Sequence, residues 1–465
     1  MEWQREIRRR LAVWCARQAA GWIRRLGRGD GMTLPGSIAR KIDPDILTEL
    51  AQMVREKILV TTGTNGKTTT NHLLAHILEA EGKKVVINGT GANMLNGVTA
   101  AFVLAAGRGR LDADYACIEV DENASAEVFA RLRPDLVLIT NLSRDQLDRY
   151  GEVDLVCARL KEAMEAAPCA GLIVNADDPA VCSLSLQCRN PVTGYGIEEK
   201  ITGESSCRGV RESLFCRRCG GRLEYSFFQY GHLGMYRCPS CAFRRPKPRY
   251  GARRISFDRD GCSFETEGIR LHCGTQDPCQ IYNTLSAYAV LRAAGAPVEG
   301  FGEALEDFDY GNGRERVFRI GAARVQLYLA KNPVGFQQKL SLLGRDPASK
   351  DMVVEINDGE QDGRDVSWLW DVDFGCLKET GVVRIVTTGT RRDDMGLRLK
   401  YEDIPSTAVP AQDLPGVLKE LTVRGTGNLY VIVNYSGLYP MRDMLERLET
   451  EGEEINETDD RLFIP

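Results

Sequence analysis

The sequence predicts an α/β protein with a doubly wound parallel sheet in its central part and a second, smaller α/β domain after it. Short apolar runs alternate with helical stretches from Lys57 onward, which is the pattern of strands and helices in a parallel sheet. Two Cys-x-x-Cys pairs interrupt this alternation, which resumes in the last third of the chain. At roughly 150 residues per domain, 465 residues allow about three domains. We expect an N-terminal helix and loop over 1–54, a central domain over 55–316 with an insert at about 207–250, and a C-terminal α/β domain over 317–465.

The composition is that of a folded protein, with 43% hydrophobic and 27% charged residues, and it excludes the disordered and fibrous classes. Sixty basic and sixty-five acidic residues give a net charge of -5, which argues against a nucleic-acid partner. The sequence contains no apolar run of about 18 residues and no signal-peptide pattern. We therefore expect a cytoplasmic protein, in which the 15 cysteines are reduced and clustered cysteines indicate a metal site.

The first 28 residues predict a basic amphipathic helix. They contain eight arginines and two glutamates, and large apolar residues recur at helical spacing, namely Trp3, Ile7, Leu11, Trp14, Trp22 and Leu26. Such a helix could lie on an anionic membrane surface or against a lipid-linked substrate. It could also pack on its own domain and leave its arginines in solvent, and we favour this second interpretation.

A glycine-rich segment, TTGTNGKT at residues 61–68, follows the first predicted strand and opens the next helix. Backbone N–H groups and a helix N-terminus in this arrangement hold phosphate groups. Lys67 is expected to neutralise the β- and γ-phosphates, and Thr68 to reach Mg²⁺. Thr61 replaces the first glycine of the usual pattern. The segment predicts a nucleotide site, whose candidate residues are Gly63, Thr64, Asn65, Gly66, Lys67, Thr68 and Thr69.

Acidic residues stand at the ends of the strands that follow. Glu119 ends YACIEV, and Asp145 and Asp148 follow DLVLITN. Each acid taken alone is also typical of a helix cap or a solvated surface. Because ligands bind at the carboxyl ends of the strands in such sheets, the three acids together favour a Mg²⁺ site with Glu119 as a catalytic ligand.

Four cysteines form two Cys-x-x-Cys pairs separated by eighteen residues, namely Cys216, Cys219, Cys238 and Cys241. This spacing predicts a Cys₄ zinc ribbon. We expect Zn²⁺ to be structural, because about forty residues cannot form a core of their own. Nucleic-acid binding and redox chemistry are the alternatives. Cys207 and His232 are not expected to be ligands, and the basic segment after Cys241 is expected to be a solvated loop rather than a site for phosphate or anionic lipid.

Six motifs occur in the order found in the Mur ligase superfamily, which the chain resembles through them. They are TTGTNGKTTT, the strand-end Glu119, NLSRDQLD, NADDP (175–179), IYNTLSA (281–287) and GNGRER (311–316). The resemblance implies an enzyme that phosphorylates a carboxylate with ATP and lets an amine attack the acyl phosphate. It implies that Asn283 contacts adenine and that Arg314 reaches the phosphates. Asp177 or Asp178 would lie near the nucleotide.

Three departures from the superfamily pattern affect the expected chemistry. Gln146 stands where the superfamily has a metal-binding histidine, and Arg159 and Leu160 stand where many members carry a carbamylated lysine. The segment before the phosphate loop, at about 55 residues, is too short for a UDP-sugar-binding domain. The missing histidine and lysine disfavour the alternative function, an amino-acid-adding ligase like folylpolyglutamate synthetase, and the short segment means that the substrate need not carry UDP.

The C-terminal half resembles the MurT family, through LAKNPVGFQQKL (329–340), INDGEQDGRDVSWLWDVDF (356–374) and DMGLRLKY (394–401). MurT proteins are the synthetase subunits of lipid II isoglutaminyl synthase. The resemblance implies amidation of the α-carboxylate of D-glutamate in the lipid II stem peptide, with ammonia supplied by a glutaminase partner of the GatD type.

A glutaminase needs an activated cysteine with a histidine base, and the sequence gives no sign of that module. Asp362, Asp365 and Asp371 form an acidic cluster whose ordinary interpretation is a solvated turn. We favour the hypothesis that Asp365 orients the partner's catalytic histidine, with Asp362 as the other candidate. A further alternative, a zinc-ribbon NTPase that acts on nucleic acid, is disfavoured by the net charge and by the lack of a helicase-like motif set.

Overall fold

The computed structural model describes residues 2–25, 33–89, 91–144, 152–201, 212–258, 261–311, 315–359 and 361–461. Contacts between residues divide the chain into two units. The first contains residues 1–143, 152–201 and 213–310, and most of the second is formed by residues 311–465. No helix in the described ranges is both long and apolar enough to cross a membrane.

A mainly parallel sheet forms the centre of the first unit. The strands of this unit are β1 (Lys57–Thr62), β2 (Val85–Ile87), β3 (Tyr115–Glu119), β4 (Leu136–Ile139), β5 (Gly171–Asn175), β6 (Val192–Ile197), β7 (Glu224–Tyr230), β8 (Leu233–Arg237), β9 (Tyr250–Phe257), β10 (Cys262–Thr266) and β11 (Ile269–Cys273). Nine of them pair in the order β11-β10-β9-β6-β5-β4-β1-β3-β2. All neighbours from β9 to β2 are parallel, and β10 and β11 extend one edge as an antiparallel hairpin. The predicted doubly wound parallel sheet is confirmed.

Helices cover this sheet. They are α1 (Glu2–Arg25), α2 (Leu34–Ile42), α3 (Ile46–Ala51), α4 (Lys67–Ala80), α5 (Leu95–Ala105), α6 (Ser125–Leu132), α7 (Val153–Ala166), α8 (Pro179–Ser185), α9 (Cys279–Ala294) and α10 (Phe301–Glu306). α9 is buried on nearly all sides, because small and apolar residues surround its axis rather than one face. α4 and α9 contact each other and contribute to one hydrophobic core with the sheet.

The central strand β1 positions the site. Its sequence KILVTT has five consecutive buried residues, which is the pattern of a parallel strand covered on both faces. β1 lies between β3 and β4, with Thr61 opposite Glu119 and Thr62 opposite Ile139. Because the strand order changes direction at β1, the carboxyl ends of these three strands border the crevice in which such sheets bind ligands.

The cysteine-rich segment is inserted between two neighbouring strands. β9 pairs in parallel with β6, with Tyr195 opposite Tyr250, so the chain leaves the sheet after β6 and returns beside it. Within the insert, β7 and β8 form a separate antiparallel hairpin. The interruption predicted from the sequence is therefore an insert between two neighbouring strands of the sheet, and its hairpin packs on the core of the first unit through Leu233.

α1 packs on its own unit, against α2 and α5, as the favoured interpretation of the sequence expected. It does so, however, through a face of small residues, namely Ala12, Val13, Ala16 and Ala20. The large apolar residues that the sequence analysis placed on the apolar face are exposed instead, except Leu26, which lies outside the described residues.

The second unit is a smaller α/β structure. Its elements are β12 (Glu315–Ile320), β13 (Ala323–Leu329), α11 (Pro333–Arg345), β14 (Lys350–Glu355), two 3₁₀ helices (Ser367–Asp371 and Phe374–Glu379), β15 (Val382–Thr388), α12 (Arg392–Lys400), β16 (Thr407–Ala408), α13 (Leu414–Arg424), β17 (Asn428–Val433) and α14 (Tyr435–Arg461). The strand order is β12-β13-β17-β14-β15-β16, with only the β12–β13 pair antiparallel. The three strands predicted for this region are β14, β15 and β17, and they form the middle of its sheet.

Candidate active site and four-cysteine cluster

The phosphate loop lies between β1 and α4, at the carboxyl edge of the sheet. Gly63 and Gly66 have φ angles of +116° and +86°, in the left-handed region that favours glycine. A Cβ atom on Gly63 would lie 2.4 Å from Thr140 Oγ1, and one on Gly66 would lie 2.3 Å from Asn283 Oδ1. Both glycines are therefore required by backbone conformation and by the close approach of neighbouring chain segments.

Two residues that follow β4 hold the loop in place. Asn141 Oδ1 accepts from the Asn65 N–H at 3.1 Å, and Asn141 Nδ2 donates to the Asn65 carbonyl at 2.9 Å. Thr64 Oγ1 donates to the Ser143 carbonyl at 3.0 Å and accepts from the Ser143 N–H at 3.0 Å. In the sequence this NLS segment is recognisable only as a family motif, because its support of the loop depends on the pairing of β1 with β4.

Lys67 is buried at the start of α4. Its Nζ donates to Glu122 Oε1 at 2.8 Å and to the Gly63 carbonyl. Burial by itself lowers the pKa of Lys67, but the nearby carboxylates, led by Glu122 and Glu119, outweigh it and hold the pKa above its ordinary value. Lys67 is therefore a permanent cation, balanced here by Glu122. Glu122 was not predicted, although it follows the strand-end Glu119 by three residues.

Thr68 and Glu119, the two residues predicted to bind Mg²⁺, lie in direct contact. Thr68 Oγ1 donates to Glu119 Oε2 at 2.6 Å, and Asn93 Nδ2 donates to the other carboxylate oxygen at 3.0 Å. Asn88 fixes the backbone of Glu119, with Asn88 Oδ1 accepting from its N–H at 2.8 Å and Nδ2 donating to its carbonyl at 2.9 Å. A hydroxyl and a carboxylate at this spacing are the hard oxygen ligands that Mg²⁺ takes.

Asn283, in the first turns of α9, lies close to the phosphate loop. Its Oδ1 accepts from Thr70 Oγ1 at 3.4 Å, and its Nδ2 donates to Gln280 Oε1 at 2.7 Å. Thr69 is half-buried in the first turn of α4. The structure thus brings Asn283 and the loop residues together, although their predicted contacts with ATP stay predictions. Arg314, Asp145, Asp148 and Gln146 lie outside the described residues.

Asp177 is fully buried behind this site. One of its oxygens accepts from Arg245 Nε of the insert at 2.5 Å, and the other accepts from Tyr282 OH at 2.6 Å and from the Ile197 N–H at 2.9 Å. These partners engage both carboxylate oxygens. What the structure shows for Asp177 is an anchor for the insert, and the predicted role beside the nucleotide stays a prediction.

Asp178 also contacts the insert. It caps α8 by accepting from the Ala180 N–H at 2.7 Å, and its second oxygen accepts from the Leu142 N–H at 2.7 Å and lies 3.1 Å from His232 Nε2. His232, which was not expected to be a metal ligand, is thus paired with a carboxylate away from the cysteines.

The ligand sulfurs of the four predicted cysteines lie within 4.8 Å of one another. Cys216 Sγ is 3.7 Å from Cys241 Sγ, and Cys219 Sγ is 3.5 Å from Cys238 Sγ. A tetrahedral site with metal–sulfur bonds of about 2.3 Å requires sulfurs about 3.8 Å apart, so the cluster has the dimensions of a metal site. Cys216 and Cys238, one from each Cys-x-x-Cys pair, form a small hydrophobic core with Leu223, Tyr236 and Phe243. Cys182 of α8 also belongs to this core.

In the second unit, Asp365 is half-buried and accepts from the Ser367 N–H at 2.8 Å, at the start of a 3₁₀ helix. Hydrogen bonds from Ser367 lower the pKa of Asp365. Asp362 is buried, and its Oδ1 accepts from the Ser436 N–H at the start of α14 at 2.9 Å. The Oδ2 atom of Asp362 has no hydrogen-bond partner among the described residues.

Comparison with known proteins identifies the family. The chain is 33% identical over 442 residues to a Staphylococcus aureus protein named "Lipid II isoglutaminyl synthase (glutamine-hydrolyzing) subunit MurT", with 95% of this chain and 98% of the relative covered. A Streptococcus pneumoniae protein of the same name is 30% identical, with 96% of this chain and 99% of the relative covered. The chain belongs to the MurT family. Residues 61–221 match the Mur ligase middle domain, and residues 329–438 match the MurT ligase C-terminal domain.

Solved structures show that this MurT-family chain has the Mur ligase fold. A pseudomurein peptide ligase type C from Methanothermus fervidus superposes with a TM-score of 0.67 at 21% identity, covering 86% of this chain and 80% of that chain. The MurF ligase of Thermotoga maritima, in complex with ADP, superposes with a TM-score of 0.63 at 15% identity, covering 90% and 84%. The predicted Mur ligase-like central domain and C-terminal α/β domain are confirmed.

Proposed function

We propose that this chain is the ATP-dependent synthetase subunit of a lipid II isoglutaminyl synthase. In this reaction the α-carboxylate of D-glutamate in the lipid II stem peptide is phosphorylated, and ammonia displaces phosphate to give D-isoglutamine. The observation that carries the proposal is the nearly full-length match to relatives that bear this enzyme's name, at 33% and 30% identity. The geometry around Lys67 and Glu119 supports the ligase chemistry.

The residues at the carboxyl edge of the sheet fit ATP and Mg²⁺. The N-terminus of α4 and the buried cation of Lys67 offer positive charge to the β- and γ-phosphates. In this structure the carboxylate of Glu122 balances the charge of Lys67. Thr68 and Glu119 offer oxygen ligands to Mg²⁺. When bound, the metal neutralises charge that develops on the transferred phosphoryl group. In the proposed roles Asn283 contacts adenine and Arg314 the phosphates.

For the cysteine cluster we propose a structural Zn²⁺ site. Four thiolates complete a tetrahedron and leave no position open for substrate, which is the arrangement of structural rather than catalytic zinc. The hydrophobic cluster of the insert is small, so the metal would supply much of its stability.

We propose that ammonia comes from a GatD-type glutaminase chain. Both relatives are named as subunits of a glutamine-hydrolyzing enzyme. In this chain His76 contacts the Ala304 carbonyl at 2.9 Å, His232 contacts Asp178, and His272 contacts Ser263 Oγ at 3.0 Å. For these three of the four histidines the contacts named are a carbonyl, a carboxylate and a hydroxyl, and none of these is the cysteine that a glutaminase pairs with histidine.

We further propose that Asp365 positions the catalytic histidine of that partner. Ser367 engages one oxygen of its half-buried carboxylate. Replacing Asp365 by Asn should lower glutaminase activity of the assembled complex while synthetase activity with ammonium stays unchanged. Asp393→Asn, at a side chain that is 79% exposed on α12, is the matched control. Unchanged glutaminase activity in Asp365→Asn would refute the assignment, and loss in Asp362→Asn instead would transfer it to that residue.

The synthetase proposal is tested by mass spectrometry of lipid II after incubation with the purified protein, ATP, Mg²⁺ and ammonium chloride. The expected product is the carboxamide, formed with consumption of ATP. Lys67→Ala should abolish it, because the phosphates lose their buried counter-charge. Lys57→Ala, at the opposite end of β1 and paired with Asp135 at 2.9 Å, should remain active. If wild type forms no amide, with or without coexpressed glutaminase and glutamine, but adds an amino acid, the chain is the alternative amino-acid-adding ligase.

A further inference from the structure

We propose that α1 is an interfacial anchor that binds the anionic surface of a phospholipid bilayer through its outward-facing tryptophans. Five large apolar side chains of this helix are exposed: Trp3 by 73%, Trp22 by 63%, Trp14 by 60%, Leu11 by 49% and Ile7 by 45%. Contiguous exposed apolar surface of this kind marks a site of interaction, whereas single exposed apolar residues such as Leu186 and Val423 are ordinary. The inference rests on α1 alone and does not depend on the proposed function.

These five residues form one stripe. At 3.6 residues per turn, their positions fall within an arc of about 100° on the helix. Ala12, Val13, Ala16 and Ala20, which are buried, fall on the opposite side. α1 is thus amphipathic in an inverted sense, since its small residues face the protein and its large apolar residues face away.

The stripe is not available for packing on the first unit, because the opposite face is fixed there. The Arg17 guanidinium donates to the Ala106 carbonyl at 2.8 Å, and Arg9 Nε donates to the Gly109 carbonyl at 2.8 Å. Arg9 also pairs with Glu49 at 3.1 Å. With small side chains in the contact, α1 lies close against α2 and α5, and turning the stripe inward would break all of these bonds.

The chemistry of the helix favours a lipid surface over a protein groove. Three of the five tryptophans of the chain are in the stripe, and tryptophan is the residue that prefers the interface between headgroups and acyl chains. The helix also carries seven arginines against two glutamates. Of these, Arg25 is exposed, has no ion pair among the described residues and lies within the arc of the stripe. Arg10, whose side chain is 57% exposed and pairs with Glu6, borders the stripe. Apolar side chains flanked by arginines fit a negatively charged bilayer on which the helix lies flat.

The test is cosedimentation of the full-length protein with vesicles of phosphatidylcholine, alone or mixed with phosphatidylglycerol. We expect binding to the mixed vesicles. The double variant Trp14→Ser with Trp22→Ser should bind about tenfold or more weakly, because two apolar side chains no longer enter the interface. Arg10→Gln with Arg25→Gln, at the arginines that border or lie within the stripe, should weaken binding to the anionic vesicles by about tenfold. Brominated lipids should quench the tryptophan fluorescence of the bound wild type.

Matched controls are Leu186→Ser and Val423→Ser, at side chains that are 64% and 74% exposed elsewhere on the chain, and these should bind like wild type. Circular dichroism should show the same folded state for all variants, because every changed side chain is exposed. Equal vesicle binding by wild type and the tryptophan variant would overturn the proposal. Absence of vesicle binding by the wild type would also overturn the proposal. In that case the stripe would be assigned to a protein contact, either dimerisation seen in sedimentation velocity or binding of a coexpressed glutaminase.

Discussion

Replacing Asp177 by alanine should lower the free energy of unfolding by about 3 to 5 kcal/mol, the usual cost of removing one partner from a buried ion pair. The side chain of Arg245 is 5% exposed, so the variant leaves a guanidinium charge buried without its counter-ion. Tyr282 OH and the Ile197 N–H lose their acceptor as well. Burial raises the pKa of Asp177 in spite of Arg245, which indicates that the intact pair contributes little net stability. The expected cost therefore comes from the charge left unpaired.

Urea unfolding followed by far-UV circular dichroism measures this cost. The matched control is Glu224→Ala, which breaks a pair with Arg237 inside the same insert at side chains that are 52% and 74% exposed. An exposed pair of this kind contributes about 0 to 1 kcal/mol. Similar small losses in both variants would refute the assignment of Asp177 as an anchor. A normal stability combined with weakened ATP binding would instead support the role beside the nucleotide that the sequence predicts.

Two further predictions concern the metal and the pH dependence. Purified protein should contain one Zn²⁺ per chain by elemental analysis, and Cys219→Ser should lose it. The control Cys169→Ser, at an exposed cysteine outside the cluster, should keep the metal. Retained zinc in Cys219→Ser would contradict the site. Burial raises the pKa of Asp351, but hydrogen bonds from Arg384 and Thr426 outweigh it and hold the pKa below its ordinary value. The stability that the Asp351 carboxylate contributes is therefore complete above the ordinary pKa of about 3.9 and is lost as the pH falls through the folded-state pKa. Below about pH 4, the midpoint temperature of unfolding should therefore fall less steeply with pH in Asp351→Asn than in wild type. Equal slopes would contradict this.

The parts of the fold and site that sequence predicts are those encoded by neighbours in the chain. A continuous buried run, two glycines and Lys67 define β1, the turn and α4 within about twenty residues. Glu119 is predictable because parallel strands end at one edge, so a strand-end acid lies beside the loop. The four cysteines are predictable because their spacing alone matches a metal site. In each case the local pattern admits few alternatives.

The remainder depends on contacts between distant segments. Glu122 acts on Lys67 only because β3 lies beside β1, and Asp177 meets Arg245 across 68 positions of sequence. The β12–β13 hairpin was missed because charged and polar residues, Arg316 and Arg319 in β12 and Arg324 and Gln326 in β13, interrupt its apolar runs. For α1, periodicity locates the large apolar face correctly. It does not reveal that alanines form the buried face. Alanines allow helices to pack closely, but their low hydrophobicity gives no strong apolar pattern in the sequence.

Hydrogen bonds link the insert that carries the cysteine cluster to the ends of the central strands. Arg245 and His232, on the insert, hold Asp177 and Asp178 at the end of β5. Asp178 in turn accepts from the Leu142 N–H, and the neighbouring Asn141 holds the phosphate loop through Asn65. Because these hydrogen bonds meet at the adjacent residues Asn141 and Leu142, a displacement of the insert would alter the support of the loop. The insert that carries the cysteine cluster is therefore connected by structure to the phosphate loop, although the cysteines lie outside that loop.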